Sequence, residues 1–264
     1  MEYDFETLVV TVTRNKLAIA REAIPQLKQL TRRPFHYSIV ANGDLETGQW
    51  LLENQTRGWY DSVNVLSDNI GVGPAYNLPW RHFIRFNKRL QYYVKFDDSN
   101  IPTRKDWLDE LIRISDYFRG KAGMVAHLIA DNDHVWPIQT IEGWSVRPTP
   151  LNCSGSCCLI SRNIWEAVGL WDEEVVGWLG PNRDDGPFYY SREDGMMGKL
   201  CMLAGLVNMY HPDLNVIRCI GERNERPEYI AWKKEQYQKA LPHQQRLIRD
   251  YMQRLRTFPH RPCY

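Results

Sequence analysis

The stretch YYVKFDDSNIP, residues 92–102, decides how this chain is read. Aromatic and β-branched residues favour a pleated, buried strand, yet the run ends in Asp97 and Asp98, followed by Ser99 and Asn100. Asp, Ser and Asn are turn formers, so one reading is a simple turn. The other is a set of hard oxygen ligands for Mg²⁺ or Mn²⁺, held against a substrate phosphate.

On either side of this run, short apolar strands alternate with helical patterns. TLVVTVT (7–13), FHYSIVA (35–41), SVNVLS (62–67) and LQYYVKF (90–96) read as strands. Helices are expected over 18–30, 45–57 and about 74–86, where Pro79 must kink or restart the last one. Leu108, Leu111, Ile112 and Ser115 recur at helical spacing, so 104–118 reads as an amphipathic helix. This alternation implies an α/β fold with a mainly parallel central sheet flanked by helices. Ligands of such sheets sit at the carboxyl edge. Three strand ends carry polar clusters: Thr13, Arg14 and Asn15; Asn42, Gly43 and Asp44; and Asp97 to Asn100. One cluster makes a turn; three on one edge describe a site. After the third strand comes DNIGVGPAYN (68–77), whose Gly71 and Gly73 permit close backbone approach to an anion. Its spacing is not the dinucleotide fingerprint.

The second half changes character. KAGMVAHLIA (121–130) reads as a strand, followed by a polar, Trp-bearing loop to about Pro150. CSGSCCLISRNIWEAVGLWDEE (153–174) reads as a strand entering a short helix that stops near Gly169. VVGWLGPNRDDGPFYYS (175–191) reads as irregular, and loops of such length usually serve function or motion. It leads into REDGMMGKLCMLAGL (192–206), a helix whose Glu193 and Asp194 sit at the N-terminus that the dipole favours for carboxylates. Simple capping would also place them there. Strands are expected near 206–210 and 215–222, then a basic amphipathic helix over about 227–256. The expected organisation is one domain over 1–226, with 227–264 packed on it or extending it.

Composition sets bounds. The 264 residues are 43% hydrophobic and 25% charged with a net charge of +1, an ordinary globular balance. So small a charge creates no global field to draw nucleic acid or an anionic membrane. Ten Trp and 14 Tyr suit stacking on sugars or bases. MEYDFETLVV lacks a basic region followed by a long apolar stretch, and no window nears the roughly 18 apolar residues of a membrane helix. Six cysteines without such a leader lead us to expect reduced thiols and a cytoplasmic location. Cys153, Cys157 and Cys158 fit no common zinc spacing and read as small core residues.

In this order and spacing, over roughly residues 7–222, the motifs resemble the family 2 glycosyltransferases and their GT-A fold relatives. VVTVTRN resembles the opening strand and turn that contact the nucleotide base. IVANGDLETG is similar to the second-strand signature beside the nucleoside. NIGVGPAYN is similar to the family's N-x-G-x-x-x-x-x-N segment, with Asn69, Gly71 and Asn77 in register. YVKFDDSNIP resembles the strand ending in the metal-chelating DXD motif. SGSCCLISRNIWEAVGLWDEE is similar to a small-residue strand, basic residue, helix, Gly and Phe-Asp-Glu run, with Trp171 in place of Phe. REDGMMGKLCMLAG resembles the Glu-Asp helix that supplies the catalytic base. The resemblance implies donor binding by Thr13, Arg14, Asn15, Asn42, Asp44, Asn69, Gly71, Asn77 and Asp97, and metal binding by Asp97, Asp98 and Ser99. Ser99 departs from the motif, since a hydroxyl is a weaker ligand than a carboxylate. The family often places a metal-ligating His after the last strand. Cys219 lies near that place, and His211, eight residues earlier, is either that ligand or a turn His before Pro212.

The chemistry so implied is metal-assisted transfer of a sugar from a nucleotide-diphosphate sugar to an acceptor hydroxyl, with inversion and with uridine as the expected base. Mn²⁺ or Mg²⁺ would stabilise the departing diphosphate, and a carboxylate would take the acceptor proton. Asp194 is the candidate base and Glu193 its alternative; adjacency does not rank them. The expected partners are the nucleotide-sugar donor and an acceptor that is a glycan, a small molecule or a modified nucleic acid. A nucleotidyltransferase would show a glycine-rich loop after its first strand, which TVTRNK lacks. A non-catalytic nucleotide-sugar-binding module would need the donor residues but not Asp194. A viral-type enzyme that glycosylates a hydroxylated DNA base is an acceptor variant, and the Lys, Arg and aromatic residues after 231 would suit a nucleic-acid groove.

Overall fold

The computed structural model describes residues 3–129, 135–173 and 193–220, the backbone of two short strands at 178–179 and 188–189, and isolated helical positions between 231 and 253. The first half forms β1 (Thr7–Thr13), α1 (Leu17–Gln29), β2 (His36–Asn42), α2 (Leu45–Glu53), β3 (Ser62–Leu66), α3 (Val72–Phe86) and β4 (Tyr92–Phe96). The second half begins with β5 (Asn100–Pro102), α4 (Trp107–Tyr117), β6 (Ala122–Ala126), β7 (Gln139–Ile141) and β8 (Trp144–Thr149). It continues with β9 (Cys157–Ser161), α5 (Arg162–Val168), β10 (Trp178–Leu179), β11 (Phe188–Tyr189), α6 (Glu193–Leu203), β12 (Val207–Tyr210) and β13 (Ile217–Cys219).

Nine strands form one sheet in the order β3-β2-β1-β4-β9-β6-β12-β8-β7. Seven run the same way, and only β9 and β8 run against them. The expected α/β architecture is therefore present, a large and mostly parallel sheet flanked by helices. Because β9 is reversed, its amino end, not its carboxyl end, meets the edge where β1 and β4 finish.

Two local expectations are corrected and one alternative is narrowed. The stretch after β6 is not all loop: it holds the β7–β8 hairpin. Glu142 and Gly143 turn it with φ of 53° and 86°, the positive pair that matches the twist of two-residue hairpins. α3 runs through Pro79 as one helix, with no restart. β5, absent from the sequence reading, pairs with β13 beside the main sheet. The irregular segment 175–191, apart from β10 and β11, lies outside the described residues. So do the boundary expected at 226 and most of the C-terminal helix expected over 227–256.

The pleat splits the core between the sheet's two faces. Along β4, Tyr92, Val94 and Phe96 pack with Ile24 of α1 and Trp107 and Leu111 of α4. Tyr93 points the other way, to Trp80 of α3, Trp165 of α5 and Met197 of α6. Fully burying an aliphatic or Phe side chain of this kind contributes about 1.5–3 kcal/mol. Cys153, Cys157, Cys158 and Cys201 are buried free thiols within this packing. Among the described residues, no helix is long and apolar enough to cross a membrane.

Candidate active site

Period-two alternation, carried past the end of β4, gives the two adjacent carboxylates different partners. Asp97 follows Tyr93 and Lys95 toward α3, where the Tyr76 hydroxyl donates to its Oδ1 at 3.1 Å. Burial first, and then Asp97, push the Tyr76 phenol well above its ordinary range, so it remains a protonated donor. Asp98 follows Phe96 to the other side, where Lys16 at the head of α1 donates to its Oδ1 at 2.9 Å. Burial raises the Asp98 carboxyl above its ordinary value, with Lys16 pulling against it.

Both aspartates line a cleft of about 500 Å³ at the carboxyl ends of β1 and β4. Thr13, Arg14, Asn15, Asn42, Asn69, Glu193 and Asp194 line it too, together with Lys16, Val72, Tyr76, Lys95 and the Ser154–Gly155–Ser156 segment before β9. Nine residues expected from the sequence thus share one cavity with Asp97 and Asp98 among them.

Lys95, inside the apolar run of β4, is a deeply buried charge. Its Nζ donates to Glu193 Oε1 at 2.7 Å, with both side chains buried. The ammonium also lies 4.8 Å from the Tyr76 ring centroid and 5.7 Å from that of Trp171, within cation–π range. Burial opposes its charge, yet Glu193, Asp97 and Asp194 together hold its pKa above the ordinary lysine value. Asp194 is half-buried and differs from its neighbour in its partners. Its Oδ2 accepts from the Gly155 amide at 3.2 Å and its Oδ1 from the Gly195 amide at 2.7 Å. A Cβ on Gly155 would lie 2.5 Å from Lys95 Nζ and 3.0 Å from Asp194 Cβ, so a larger residue there would press on both side chains.

The remaining expected residues shape the loops or lie elsewhere. Asp44 caps α2 by accepting from the Thr47 amide at 3.0 Å, and its other oxygen accepts from the Asn15 amide at 2.7 Å. Asn42 donates to Asn69 Oδ1 and to the Gly71 carbonyl at 2.9 and 3.1 Å, and accepts from the Ile70 amide at 2.9 Å. It thereby ties the loop before α3 to the end of β2. Gly43 has φ of 68°, and a Cβ there would collide with the Asn69 backbone, so these two loops meet through a glycine. Gly71 is the N-cap of α3. Asn77 is buried behind the cleft, donating to the Trp171 carbonyl at 2.8 Å and to Glu173 Oε1 at 2.7 Å. Ser99 does not line the cleft; its hydroxyl faces Cys219 Sγ at 3.5 Å. His211 does not line it either. Its Nε2 donates to Glu110 at 3.4 Å, its Nδ1 accepts from the Asp213 amide at 3.1 Å, and burial lowers its pKa.

A larger cavity, about 630 Å³, opens near the start of β1 and β2, at the opposite edge. Its arginines are already neutralised: Arg32 pairs with Asp109, Arg33 with Glu6, and Arg89 with Asp4. Its four carboxylates, Asp4, Glu6, Asp61 and Asp109, are all paired with Lys or Arg, whereas Asp97 and Asp194 of the smaller cleft bond a hydroxyl and main-chain amides, which favours the smaller cleft. Among the described residues no three acidic, His or Cys side chains converge as a metal cage. The donor set nevertheless suits Mg²⁺ or Mn²⁺, because hard cations at phosphate sites take one or two carboxylates and complete their shells from substrate oxygens. Asp97 and Asp98 supply that number.

No protein-family model and no curated protein sequence matches the chain. Solved structures do match. A mannosyltransferase from Pyrobaculum calidifontis, in complex with GDP-Man and Mn²⁺, aligns with a TM-score of 0.58 and 17% identity over 87% of this chain. The fold is one that glycosyltransferases use. S. aureus TarS 1–349 in complex with UDP-GlcNAc aligns with a TM-score of 0.56 and 12% identity, over 96% of this chain and 73% of that one. Its complex with UDP gives 0.55 and 13%, over 96% and 72%. The match spans 60% of the length of the mannosyltransferase. At such identities the likeness concerns the fold.

Proposed function

We propose that the chain is a glycosyltransferase with a GT-A-type site of the family 2 kind, moving a sugar from a nucleotide-diphosphate sugar to an acceptor hydroxyl with inversion. The observation that carries this reading is the meeting of Asp97, Asp98 and Asp194 in one cleft at the carboxyl edge of the sheet. Neighbours in complex with GDP-Man and Mn²⁺, with UDP-GlcNAc and with UDP support it. The acceptor oxygen bonds to the anomeric carbon as the bond from that carbon to the diphosphate oxygen breaks. The electron pair leaves with the nucleoside diphosphate, and the acceptor proton passes to Asp194. Mn²⁺ or Mg²⁺ held by Asp97 and Asp98 would supply Lewis-acid stabilisation of the departing diphosphate. Thr13, Arg14, Asn15, Asn42 and Asn69 hold the donor from the cleft wall, while Asp44, Gly71 and Asn77 fix the loops behind them.

The partners of the two adjacent carboxylates support a choice between them. Glu193 is engaged by a buried ammonium, whereas Asp194 accepts from two main-chain amides, which leave acceptor capacity on its oxygens. Asp194 is therefore our choice of base. General-base catalysis is worth about 10²- to 10⁴-fold, so Asp194→Asn should lower turnover within about that range and leave donor affinity, measured by calorimetry, nearly unchanged. Wild-type turnover in that variant would remove Asp194 from the role. A wild type that hydrolyses no nucleotide sugar in a donor screen with Mn²⁺ would favour the binding-module reading.

A further inference from the structure

Lys16 has no role in the reading above, yet its position is built. Asn15 before it adopts a left-handed backbone with φ of 52°. Its amide is held at 2.7 Å by Asp44, the buried cap of α2. A neighbouring loop therefore fixes the turn that aims Lys16 at Asp98. The ammonium reaches Asp98 Oδ1 at 2.9 Å while 47% of the lysine side chain stays exposed, against 5% for Asp98. The carboxylate is buried, while part of the lysine side chain meets solvent.

We propose that Lys16 is a built-in counter-ion of Asp98, which a divalent cation displaces and which then passes to the donor diphosphate. This rests on the glycosyl-transfer reading. An ammonium and a dication compete for the same carboxylate oxygen. When the metal arrives alone, Lys16 loses its pair with Asp98, and the metal's gain is offset by that loss. When a diphosphate arrives as well, the freed ammonium finds phosphate oxygens in the same cleft. Metal and nucleotide therefore favour each other's binding by more than their direct contact, and linkage makes the effect reciprocal.

The test is calorimetry with Mn²⁺ alone, UDP or GDP alone, and each in the presence of the other, on wild type, Lys16→Met and Lys16→Gln, with melting curves to confirm folding. A half-exposed ion pair is worth up to about 1 kcal/mol, or about fivefold. Mn²⁺ alone should therefore bind either variant up to about fivefold more tightly than wild type, and the Mn²⁺–nucleotide coupling should shrink by a similar factor. Equal Mn²⁺ affinity in wild type and both variants, with equal coupling, overturns the proposal. If neither nucleotide binds wild type with or without Mn²⁺, the glycosyl-transfer reading and the hand-over to phosphate both fail. The Mn²⁺-alone comparison then still decides whether Lys16 guards Asp98.

Discussion

Two lysine–carboxylate pairs share one cleft at nearly the same separation and behave as different devices. Lys95 and Glu193 are 2.7 Å apart and 5% and 8% exposed. Lys16 and Asp98 are 2.9 Å apart and 47% and 5% exposed. What separates them is how much of the lysine side chain meets water. In the deep pair both partners have lost hydration, so neither can leave without stranding the other. In the shallow pair water and salt reach the lysine, which weakens the attraction and lets the cation exchange. One pair is framework and the other a removable counter-ion.

The harshest way to break this contrast is Lys95→Met. It leaves Glu193 buried and uncompensated, which should cost about 3–5 kcal/mol in denaturant melts. Adding Glu193→Gln removes both charges and should restore most of that loss. If the double variant stays as unstable as the single one, the buried pair is not the source.

Asp98→Asn should act in the opposite direction and by less. Burial holds the Asp98 carboxyl above its ordinary value of 3.8, so the folded state keeps that proton more tightly than the unfolded chain. Stability then falls as pH rises through that window, and the ionised carboxylate is a net burden at pH 7. The variant should melt higher than wild type at neutral pH, and the gain should vanish below about pH 3.8, where both states are protonated. A gain that persists in acid would assign it to something other than charge.

The smallest effect is expected from Lys16→Met, because burial already raises the Asp98 carboxyl and lets the stranded group take up a proton. It should shrink as salt rises from about 0.05 to about 0.5 M, while the Lys95→Met loss stays nearly constant. Equal salt responses would erase the distinction between the pairs.

The sequence announces some of this and conceals the rest for physical reasons. The strands β1 to β4 are legible because apolar runs end in turn residues, and Asp97, Asp98, Glu193 and Asp194 are legible as carboxylates at element ends. Lys95 carried a readable signal, a lone charge within a run otherwise fit for burial, since buried lysines are rare without a partner. Its partner was hidden, because nothing in local spacing joins β4 to a helix 98 residues away. The TRN cluster ends one residue before Lys16, whose importance comes from the direction of the turn and not from its identity. The β7–β8 hairpin was missed although Glu142 and Gly143 sit at its turn: its strands are short and half-exposed, so alternation is faint. β5 and β13 pair only through tertiary structure.

The strand order also governs how the nascent chain can complete its core. β3, β2, β1 and β4 are neighbours built from consecutive sequence, but the free edge of β4 is covered only when β9 has been made, through residue 161. Sheets with an open edge are prone to join other chains, and inward-pointing charges are one way proteins discourage this. Lys95 lies on that edge strand opposite Cys158, and its carboxylate partner leaves the ribosome later still. Until then an ammonium on the unfinished sheet would be such a charge, and the lysine that braces the finished cleft would also discourage pairing with other chains.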